Sequence, residues 1–327
     1  MFRAVVFAYS EVGYRCLSVL LDRGVDIPLV FTHDDAPNER HWYASVARLA
    51  AERGVEAVSP ADPNSDSWLE RVAALAPHYV LSFYYRSLLG AALLGSARWG
   101  ALNMHGSLLP KYRGRAPVNW AILNGERATG ATLHFMVSKP DAGPIVAQQA
   151  VPIGVDDTAL TVSMAVAQAA AELLDRSLPL LSAGPPASRP MDLAAGCYFG
   201  GRKPEDGRID WSWPAARIHN LVRAVAPPFP GAFADLGAQR IVFESSHWTG
   251  ARGARIDVAP CLYAEGTQHL YLDCADGIRL EIAAVAIDGT RLDASGFARR
   301  YGNVALSLTH SPALEASAHE KAAHPRR

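Results

Sequence analysis

The sequence predicts an α/β protein in which a mostly parallel, Rossmann-like sheet is followed by a smaller β-rich domain. In the first half, the short β-rich runs AVVFAY, IPLVFT and HYVLSF alternate with segments of helical period. These runs are apolar almost throughout, as in strands that helices cover on both faces. Beyond the proline-rich stretch SAGPPASRP, the runs QRIVFES, LYLDC and IRLEIAAVAI indicate a second domain that a small β-barrel would suit.

The elements of the first domain follow from local signals. The opening run AVVFAY predicts a strand, and residues Gly13 to Leu21 a helix. Asp22-Arg23-Gly24 and Glu52-Arg53-Gly54 are typical of helix ends, since glycine readily adopts the left-handed conformation that stops a helix. A strand-like run soon follows each of them, which supports the alternation.

Strand, loop and helix signals continue through the rest of this domain. The strand GALNM leads into the loop HGSLLPKYRGRAP, and a helix starts near Pro117. The strands ATLHFM and IVAQQAVPI come next, joined by the turn SKPDAGP. A long helix from Leu160 to about Leu178 is expected to end just before Pro179, because proline cannot continue helical hydrogen bonding.

These signals divide the chain into four parts. We expect an α/β domain at residues 1–189, a linker at 190–205, a β-rich domain at 206–305 and a tail at 306–327. The tail carries SPALEASAHEKAAHPRR, which is too polar and too rich in small residues to pack well, so it is predicted to be disordered.

Length and composition describe a soluble globular protein. The chain has 327 residues, 50% hydrophobic and 19% charged, which excludes both a disordered polyelectrolyte and a membrane-embedded chain. Its 31 basic and 32 acidic residues leave a net charge of −1, so phosphate backbones do not attract it in general. We expect neither nucleic acid nor direct membrane insertion.

The cysteines and the N-terminal sequence indicate a cytoplasmic protein. The 4 cysteines are scattered and form no CxxC pair, which favours a reducing compartment and argues against disulfides and a zinc site. Ser10 and Glu11 interrupt the first apolar run before any small-residue cleavage site, so the start does not resemble a secretory signal.

Two polar side chains stand at the end of the strand GALNM. Alternation along a strand places Asn103 and His105 on the same side, at the carboxyl end, where ligands bind in open α/β sheets. An imidazole accepts and returns protons near neutral pH, and an asparagine amide donates a hydrogen bond to a developing oxyanion, which suits acyl transfer. Spacing alone favours a capping asparagine and a packed histidine, and does not settle the chemistry.

The segment THDDAPNERHW gathers histidines and acidic residues without predicting a metal site. It has no HxxxH pair on one helix face, and Asp34 and Asp35 point in diverging directions in most loop conformations. A solvated loop is the better interpretation. The chain also has no GxGxxG or GxxxxGK[ST] string, which argues against a nicotinamide or nucleoside-triphosphate site.

A longer string changes the interpretation of Asn103 and His105. LNMHGSLLPKYRGRAPVNWAILNGE, followed by TGATLHFMVSKPDAGPIVAQ, resembles the HxSLLP signature and downstream aspartate loop of the folate-dependent formyltransferase family. FAYSEVGY, FTHDD, LSFYYRSLL and VRAVAPPFPGAF are most similar to the members that act on UDP-4-amino-4-deoxy-L-arabinose. The resemblance extends to about residue 305 and implies a formyltransferase fold with an OB-like second domain.

The resemblance assigns the chemistry to three residues. It makes His105 the general base and acid, Asn103 the oxyanion donor and Asp141 the carboxylate that orients His105. In this reaction an amine attacks the formyl carbon of 10-formyltetrahydrofolate, the nitrogen loses a proton and the carbonyl oxygen becomes negative. Without the family pattern, Asp141 is a turn residue in KPDAG. His134 also matches the family string, but we interpret it as a buried, hydrogen-bonded histidine and not as a catalytic one.

The resemblance also implies where the co-substrate 10-formyltetrahydrofolate binds. The expected contacts are Ser87, Leu88, Leu89, Arg115, Val137, Ser138, Lys139 and Pro140. Arg115 would meet the carboxylates of the folate, with a surface ion pair as the alternative. Lys111 and Arg113 stay open between solvent and the diphosphate of a sugar nucleotide. No metal is implied.

The implied acceptor is a UDP-linked amino sugar, formylated during the modification of lipid A with aminoarabinose. In its best-known form the activity is fused to a decarboxylase. Only the formyltransferase portion is recognised in this sequence, so a separate decarboxylase of the same pathway is the expected partner. A methionyl-tRNA formyltransferase is the first alternative, but THDDAPNER is acidic where a tRNA-binding loop is basic. Another nucleotide-linked amino sugar is a second alternative. A binding module without catalysis is a third, which the presence of all three chemical groups disfavours.

Overall fold

The computed structural model describes residues 2–34, 42–302 and 304–308. The chain separates into two compact units. Among the described residues, the first comprises those within 1–121, 126–153 and 160–202, and the second comprises those within 122–125, 154–159 and 203–327.

A sheet of seven strands, with helices, forms the first unit. In chain order, the elements up to residue 199 are β1 (Arg3–Ala8), α1 (Ser10–Asp22), β2 (Asp26–Phe31), α2 (Val46–Glu52), β3 (Ala57–Val58), α3 (Asp66–Ala74), β4 (Tyr79–Phe83), α4 (Ala91–Leu94), β5 (Gly100–His105), β6 (Arg113–Gly114), α5 (Pro117–Leu123), β7 (Ala128–Phe135), β8 (Ile145–Pro152), α6 (Ala159–Ala183) and β9 (Tyr198–Phe199). Separately from the sheet, β6 pairs with β9 in a short parallel ribbon.

The strand order of the sheet is β3-β2-β1-β4-β5-β7-β8. Strands β1 through β5 pair in parallel, whereas β7 runs antiparallel to both β5 and β8. The predicted mostly parallel, Rossmann-like sheet is confirmed. The strand order reverses on either side of β1, and at such a reversal the carboxyl ends of the strands border a crevice.

Both faces of the sheet are covered, as the apolar runs predict. Ala4 and Val6 of β1 pack into one core cluster with α1, α2 and α6, and Val5 and Phe7 pack into a second with α3 and α4. All four side chains are fully buried. Burial stabilises the fold by about 1.5–3 kcal/mol for each large apolar side chain.

The predicted helix ends of α1 and α2 are confirmed. Helix α1 ends at Asp22 and α2 at Glu52. Gly24 and Gly54 follow with φ of 71° and 68°, a left-handed conformation that glycine adopts without steric cost.

The prediction that the long helix ends before Pro179 is wrong. Helix α6 continues to Ala183 with Pro179 inside it. Beyond the proline, Leu181 is fully buried in the core, and the Tyr79 hydroxyl donates to the carbonyl oxygens of Leu181 at 3.2 Å and Gly184 at 2.6 Å. These contacts offset the hydrogen bond that the proline removes. In the ranges that the structure describes, no helix is both long and apolar enough to span a membrane.

An antiparallel sheet forms most of the second unit. Its elements are α7 (Ala215–Ala224), β10 (Ala232–Leu236), β11 (Gln239–Arg252), β12 (Cys261–Glu265), β13 (His269–Asp273), β14 (Ile278–Ile287), β15 (Thr290–Leu292), α8 (Ala294–Tyr301) and β16 (Leu306–Ser307). The order is β10-β11-β14-β13-β12-β16, with β15 on β14. The fully buried Phe243 and Phe297 belong to its core. The predicted smaller β domain is confirmed.

Part of the stretch predicted as a linker, residues 190–205, is folded in the first unit. Tyr198 and Phe199 form β9, and the first unit extends to residue 202. Phe199 stacks on Trp120 and Tyr112, with ring centroids 4.6 and 5.4 Å away. The local composition does not predict this aromatic contact, because Tyr112 and Trp120 lie about 80 residues before Phe199 in the chain.

Part of the predicted tail, residues 306–327, is also folded. Leu306 pairs with Leu262 of β12, and Leu308 is fully buried. Leu306 and Leu308 are apolar and pack at the edge of the sheet beside β12, although the residues that follow them are polar. Residues 309–327 of the predicted tail lie outside the described residues.

Candidate active site

Strand pairing at the end of β5 brings three polar side chains together. Asn103 and His105 lie two residues apart and so point to the same side of the strand. On the antiparallel neighbour β7, His134 is the register partner of Asn103, and Thr132 is that of His105. His105 is 6% exposed and His134 is 1% exposed. The register therefore adds His134 to the pair that the sequence predicts.

His105 is held with one proton on a defined nitrogen. Its Nε2 lies 2.8 Å from the carbonyl oxygen of Tyr112. A carbonyl oxygen only accepts hydrogen bonds, so Nε2 donates, and in the neutral ring the lone pair is on Nδ1. Nδ1 lies 3.6 Å from Oδ1 of Asp141. A proton that arrives at Nδ1 is therefore next to a negative charge.

The carboxylate of Asp141 is positioned by the main chain of a different loop. The N–H of Gly114 donates to Oδ2 at 2.9 Å, which leaves Oδ1 facing the two histidines at 3.6 and 3.8 Å. Asp141 has φ of 50°, in the left-handed region that aspartate and asparagine enter more easily than most residues. Two residues later, a Cβ at Gly143 would lie 1.9 Å from the carbonyl oxygen of Phe135. The turn KPDAG is thus built tightly against β7.

His134 is neutral and holds the amide of Asn103. Its Nδ1 donates to the carbonyl oxygen of Phe135 at 2.8 Å, so its Nε2 accepts a hydrogen bond from Nδ2 of Asn103 at 3.2 Å. Burial, and then the positive charge that His105 carries when protonated, lower the pKa of His134 to about 4. One amide hydrogen of Asn103 is therefore taken by a fixed partner, and the other is left to meet a ligand.

Buried side chains fix the loop that follows β5. The hydroxyl of Ser107 donates to the carbonyl oxygen of Lys111 at 2.6 Å, and the hydroxyl of Thr132 donates to that of Ser107 at 2.6 Å. Ser107 and Thr132 are fully buried. Because this loop also supplies the carbonyl oxygen of Tyr112, the network sets the position of the His105 imidazole.

A tyrosine that sequence reasoning missed lies against the site. A Cβ at Gly106 would be only 1.7 Å from the hydroxyl oxygen of Tyr84, so residue 106 must be glycine while this ring is in place. Tyr84 itself has φ of 59°, a left-handed conformation that is unusual for a tyrosine. Burial, followed by the nearby Cys16 and Asp141, raises the pKa of Tyr84, so its hydroxyl stays protonated. The only signal in the sequence is the glycine of HGS.

The residues predicted to bind folate lie on segments that follow β4, β6 and β7. Leu88 and Val137 are exposed apolar side chains, at 73% and 42%, whereas Leu89 packs into the core. Of the remaining ones, those that are exposed are Arg115, Ser138 and Lys139, and those that are partly buried are Ser87 and Pro140. Contact between these residues and folate stays a prediction.

The segment THDDAPNERHW is only partly described, because residues 35–41 lie outside the described residues. His33 stacks on Tyr85 with ring centroids 4.1 Å apart, and its Nε2 accepts from the main-chain N–H of Arg86 at 3.0 Å. Over the ranges that the structure covers, no group of three histidine, cysteine or acidic side chains is placed to hold a metal ion.

Three solved structures share this fold, and two of them are sugar N-formyltransferases or N-formyltransferases. The N-formyltransferase from Helicobacter canadensis, in complex with folinic acid and dTDP-3-aminofucose, matches with a TM-score of 0.67 and 18% identity over 86% of this chain and 99% of that chain. WlaRD, a sugar 3N-formyl transferase in the presence of dTDP and 5-N-formyl-THF, matches with a TM-score of 0.64 and 16% identity over 86% and 97%. HypX from Aquifex aeolicus, in complex with tetrahydrofolic acid, matches with a TM-score of 0.60 and 18% identity over 92% and 47%.

The sequence also matches two family descriptions, one for each unit. Residues 10–178 match the formyl transferase family, and residues 202–302 match the formyl transferase C-terminal domain. The first match alone covers more than half of the 327 residues. It contains Asn103, His105 and Asp141, the groups that the structure brings together. The chain therefore belongs to the formyl transferase family.

Proposed function

We propose that the protein transfers a formyl group from 10-formyltetrahydrofolate to the 4-amine of UDP-4-amino-4-deoxy-L-arabinose. The observation that carries the chemistry is the arrangement around His105, whose Nδ1 faces the Asp141 carboxylate at 3.6 Å beside the anchored amide of Asn103. Formyl transfer needs a proton acceptor, a group that stabilises its protonated form and a donor for an oxyanion. These three side chains supply one group for each task.

In the first step the sugar amine attacks the formyl carbon and a C–N bond forms. The carbonyl oxygen becomes negative and accepts the free amide hydrogen of Asn103. The nitrogen of the amine becomes positive and gives a proton to Nδ1 of His105, because Nε2 already donates to the carbonyl oxygen of Tyr112. The Asp141 carboxylate stabilises the imidazolium that results.

In the second step the tetrahedral intermediate collapses. The carbonyl double bond forms again, and the bond between the formyl carbon and N10 of the folate breaks. The imidazolium of His105 returns its proton to N10, which leaves as neutral tetrahydrofolate. One proton has moved from the amine to N10, and His105 and Asp141 are restored for the next cycle.

The solved relatives support the choice of donor and of acceptor class. The Helicobacter canadensis enzyme holds folinic acid together with a dTDP-linked amino sugar, and WlaRD was crystallised with dTDP and a formylated tetrahydrofolate. A nucleotide-linked amino sugar as acceptor and a formylated folate as donor suit this chain for the same chemical reasons. The UDP-linked arabinose derivative rests on the likeness of FAYSEVGY, LSFYYRSLL and VRAVAPPFPGAF to members that use it.

With this acceptor, the protein acts in the cytoplasm during the modification of lipid A with aminoarabinose. That modification neutralises lipid A phosphates and lowers the affinity of the outer membrane for cationic peptide antibiotics. A decarboxylase of the same pathway prepares the precursor of the amino sugar. Free formylated sugar nucleotide is the product that leaves the site.

A panel of acceptors tests the proposal. UDP- and dTDP-linked amino sugars and charged initiator tRNA are each offered with 10-formyltetrahydrofolate, and the release of tetrahydrofolate is followed. We expect the highest kcat/KM with the UDP-linked 4-amino-4-deoxy-L-arabinose. A higher kcat/KM with a dTDP-linked sugar would show that the proposed acceptor is wrong. Turnover with tRNA and with no sugar nucleotide would show that the proposed function is wrong.

A further inference from the structure

A buried arginine lies on β6. Arg113 is 7% exposed, and its Nε is buried with no hydrogen-bond partner in the described part of the chain. Among the described residues, no carboxylate forms an ion pair with its guanidinium either. A buried N–H group without an acceptor costs free energy, because it has lost its hydrogen bond to water. Among the described residues this N–H has no acceptor, and the oxygen of a bound anion would supply one.

The ribbon of β6 and β9 holds this arginine rigidly. The main-chain N–H of Arg113 donates to the carbonyl oxygen of Cys197 at 3.0 Å, and that of Arg115 donates to the carbonyl oxygen of Phe199 at 2.9 Å. Gly114 lies between them with φ of 97°, and a Cβ there would be 2.1 Å from the Phe199 oxygen. The backbones of β6 and β9 are in direct contact, so the main chain of Arg113 is held in place.

An open aromatic ring and a second cation lie on the same ribbon. Tyr198, the register partner of Arg113, is 58% exposed, and its ring carbon Cζ would be 3.2 Å from a Cβ at Gly114. Arg115 is exposed, and none of the described acidic side chains pairs with it. The ribbon thus combines a largely buried arginine, an exposed arginine and an exposed tyrosine ring.

The ribbon is joined directly to the candidate active site. The N–H of Gly114 donates to Oδ2 of Asp141, whose other oxygen faces His105. Arg113 is therefore the neighbour in the chain of Gly114, whose N–H positions the Asp141 carboxylate.

We propose that Arg113 and Tyr198 form the binding site for the nucleoside diphosphate of the acceptor, with the diphosphate on the guanidinium and the base against the tyrosine ring. A guanidinium binds phosphate oxygens through two parallel hydrogen bonds, so Arg113 can hold the diphosphate while Arg115 stays available for the carboxylates of the folate. The inference rests on the proposed function and names the part of the site that recognises the acceptor.

The carboxylates of the folate are the other anions in this reaction, so the test measures both. Wild type, Arg113→Met, Arg113→Lys and the control Arg127→Met are titrated with UDP, dTDP, inorganic pyrophosphate and 5-formyltetrahydrofolate by calorimetry. Arg127 is an exposed cation just before β7, at the opposite end of that strand from His134. The control removes the same charge from the surface.

We expect Arg113→Met to bind UDP and pyrophosphate at least tenfold more weakly, and 5-formyltetrahydrofolate and the control to be unchanged. The lysine variant should retain part of the affinity. Without ligand, Arg113→Met should melt at the same temperature as wild type or higher, because a buried N–H without an acceptor has been removed.

Unchanged affinity of Arg113→Met for UDP and pyrophosphate would overturn the inference. It would also be overturned if the variant bound only 5-formyltetrahydrofolate more weakly, because Arg113 would then hold a carboxylate of the folate. A wild type that binds none of the phosphate probes overturns it as well. If Arg113→Met does not fold, the same titration of Arg113→Lys decides.

Kinetics separate this inference from the proposed function. A raised KM for the sugar nucleotide in Arg113→Met, at nearly constant kcat, supports both. Wild-type turnover with an unchanged KM in the variant overturns the inference alone. A wild type that binds UDP through Arg113 and formylates no nucleotide sugar overturns the proposed function.

Discussion

Asp141→Asn removes one negative charge from the candidate site and keeps the shape of the side chain. The substitution suits the backbone, because Asp141 has φ of 50° and asparagine enters the left-handed region at least as easily as aspartate. The amide oxygen can still accept the hydrogen bond from Gly114. A loss of activity therefore reports on the group that faces His105, which changes from a charged oxygen to a neutral amide.

The distance from His105 to Asp141 sets the size of the effect. Two unit charges at the 3.6 Å that separates Nδ1 from Oδ1 attract by about 4–5 kcal/mol at an effective dielectric constant of about 20. Losing about 3 kcal/mol of this in the transition state slows turnover by about a hundredfold. The new amide hydrogens also face the Nδ1 lone pair and oppose its uptake of a proton. We expect kcat to fall by at least about a hundredfold.

Tetrahydrofolate release under saturating acceptor and 10-formyltetrahydrofolate measures this loss. Melting temperatures show whether the variant is folded. Asp175→Asn is the matched control, since Asp175 pairs with Arg23 on the surface and should leave the rate unchanged. If folded Asp141→Asn retained a rate within about fivefold of wild type, the proposed role of this carboxylate would be refuted.

Three further perturbations test the surroundings of the site. The pKa of His134 is about 4 in the folded chain, against an ordinary value of 6.5. As pH falls, the unfolded chain therefore takes up this proton first, and the free energy of unfolding drops by up to about 3 kcal/mol between pH 6.5 and pH 4. His134→Gln should flatten that loss in urea titrations at pH 7 and 4.5, and an equally steep loss would contradict the assignment. Gly114→Ala should lower the melting temperature more than Gly54→Ala, because both glycines have left-handed φ but only Gly114 would place its Cβ 2.1 Å from a carbonyl oxygen; equal shifts would show that the close contact is unimportant. Gly106→Ala should reduce activity through the clash with the Tyr84 hydroxyl, and adding Tyr84→Phe should restore part of it; a double variant no better than the single one would rule out that cause.

Most of the fold is predictable because its signals are local. The apolar run of β1 predicts burial on both faces, and Gly24 and Gly54 mark two helix ends. The prediction at Pro179 fails for a reason that lies elsewhere in the chain. There, the burial of Leu181 and the hydrogen bonds from Tyr79 hold the helix together past the proline.

By itself, the sequence determined the strand that ends in Asn103 and His105, because side-chain alternation is a property of neighbouring residues. Asp141 was found through a family pattern, since its own surroundings indicate only a turn. Only the tertiary structure decided that Nδ1 of His105 faces Asp141, that His134 anchors Asn103 and that the buried Nε of Arg113 has no partner among the described residues. Each of these depends on the register of strands and the contact of loops from distant parts of the chain, and no local pattern of residues encodes such distances.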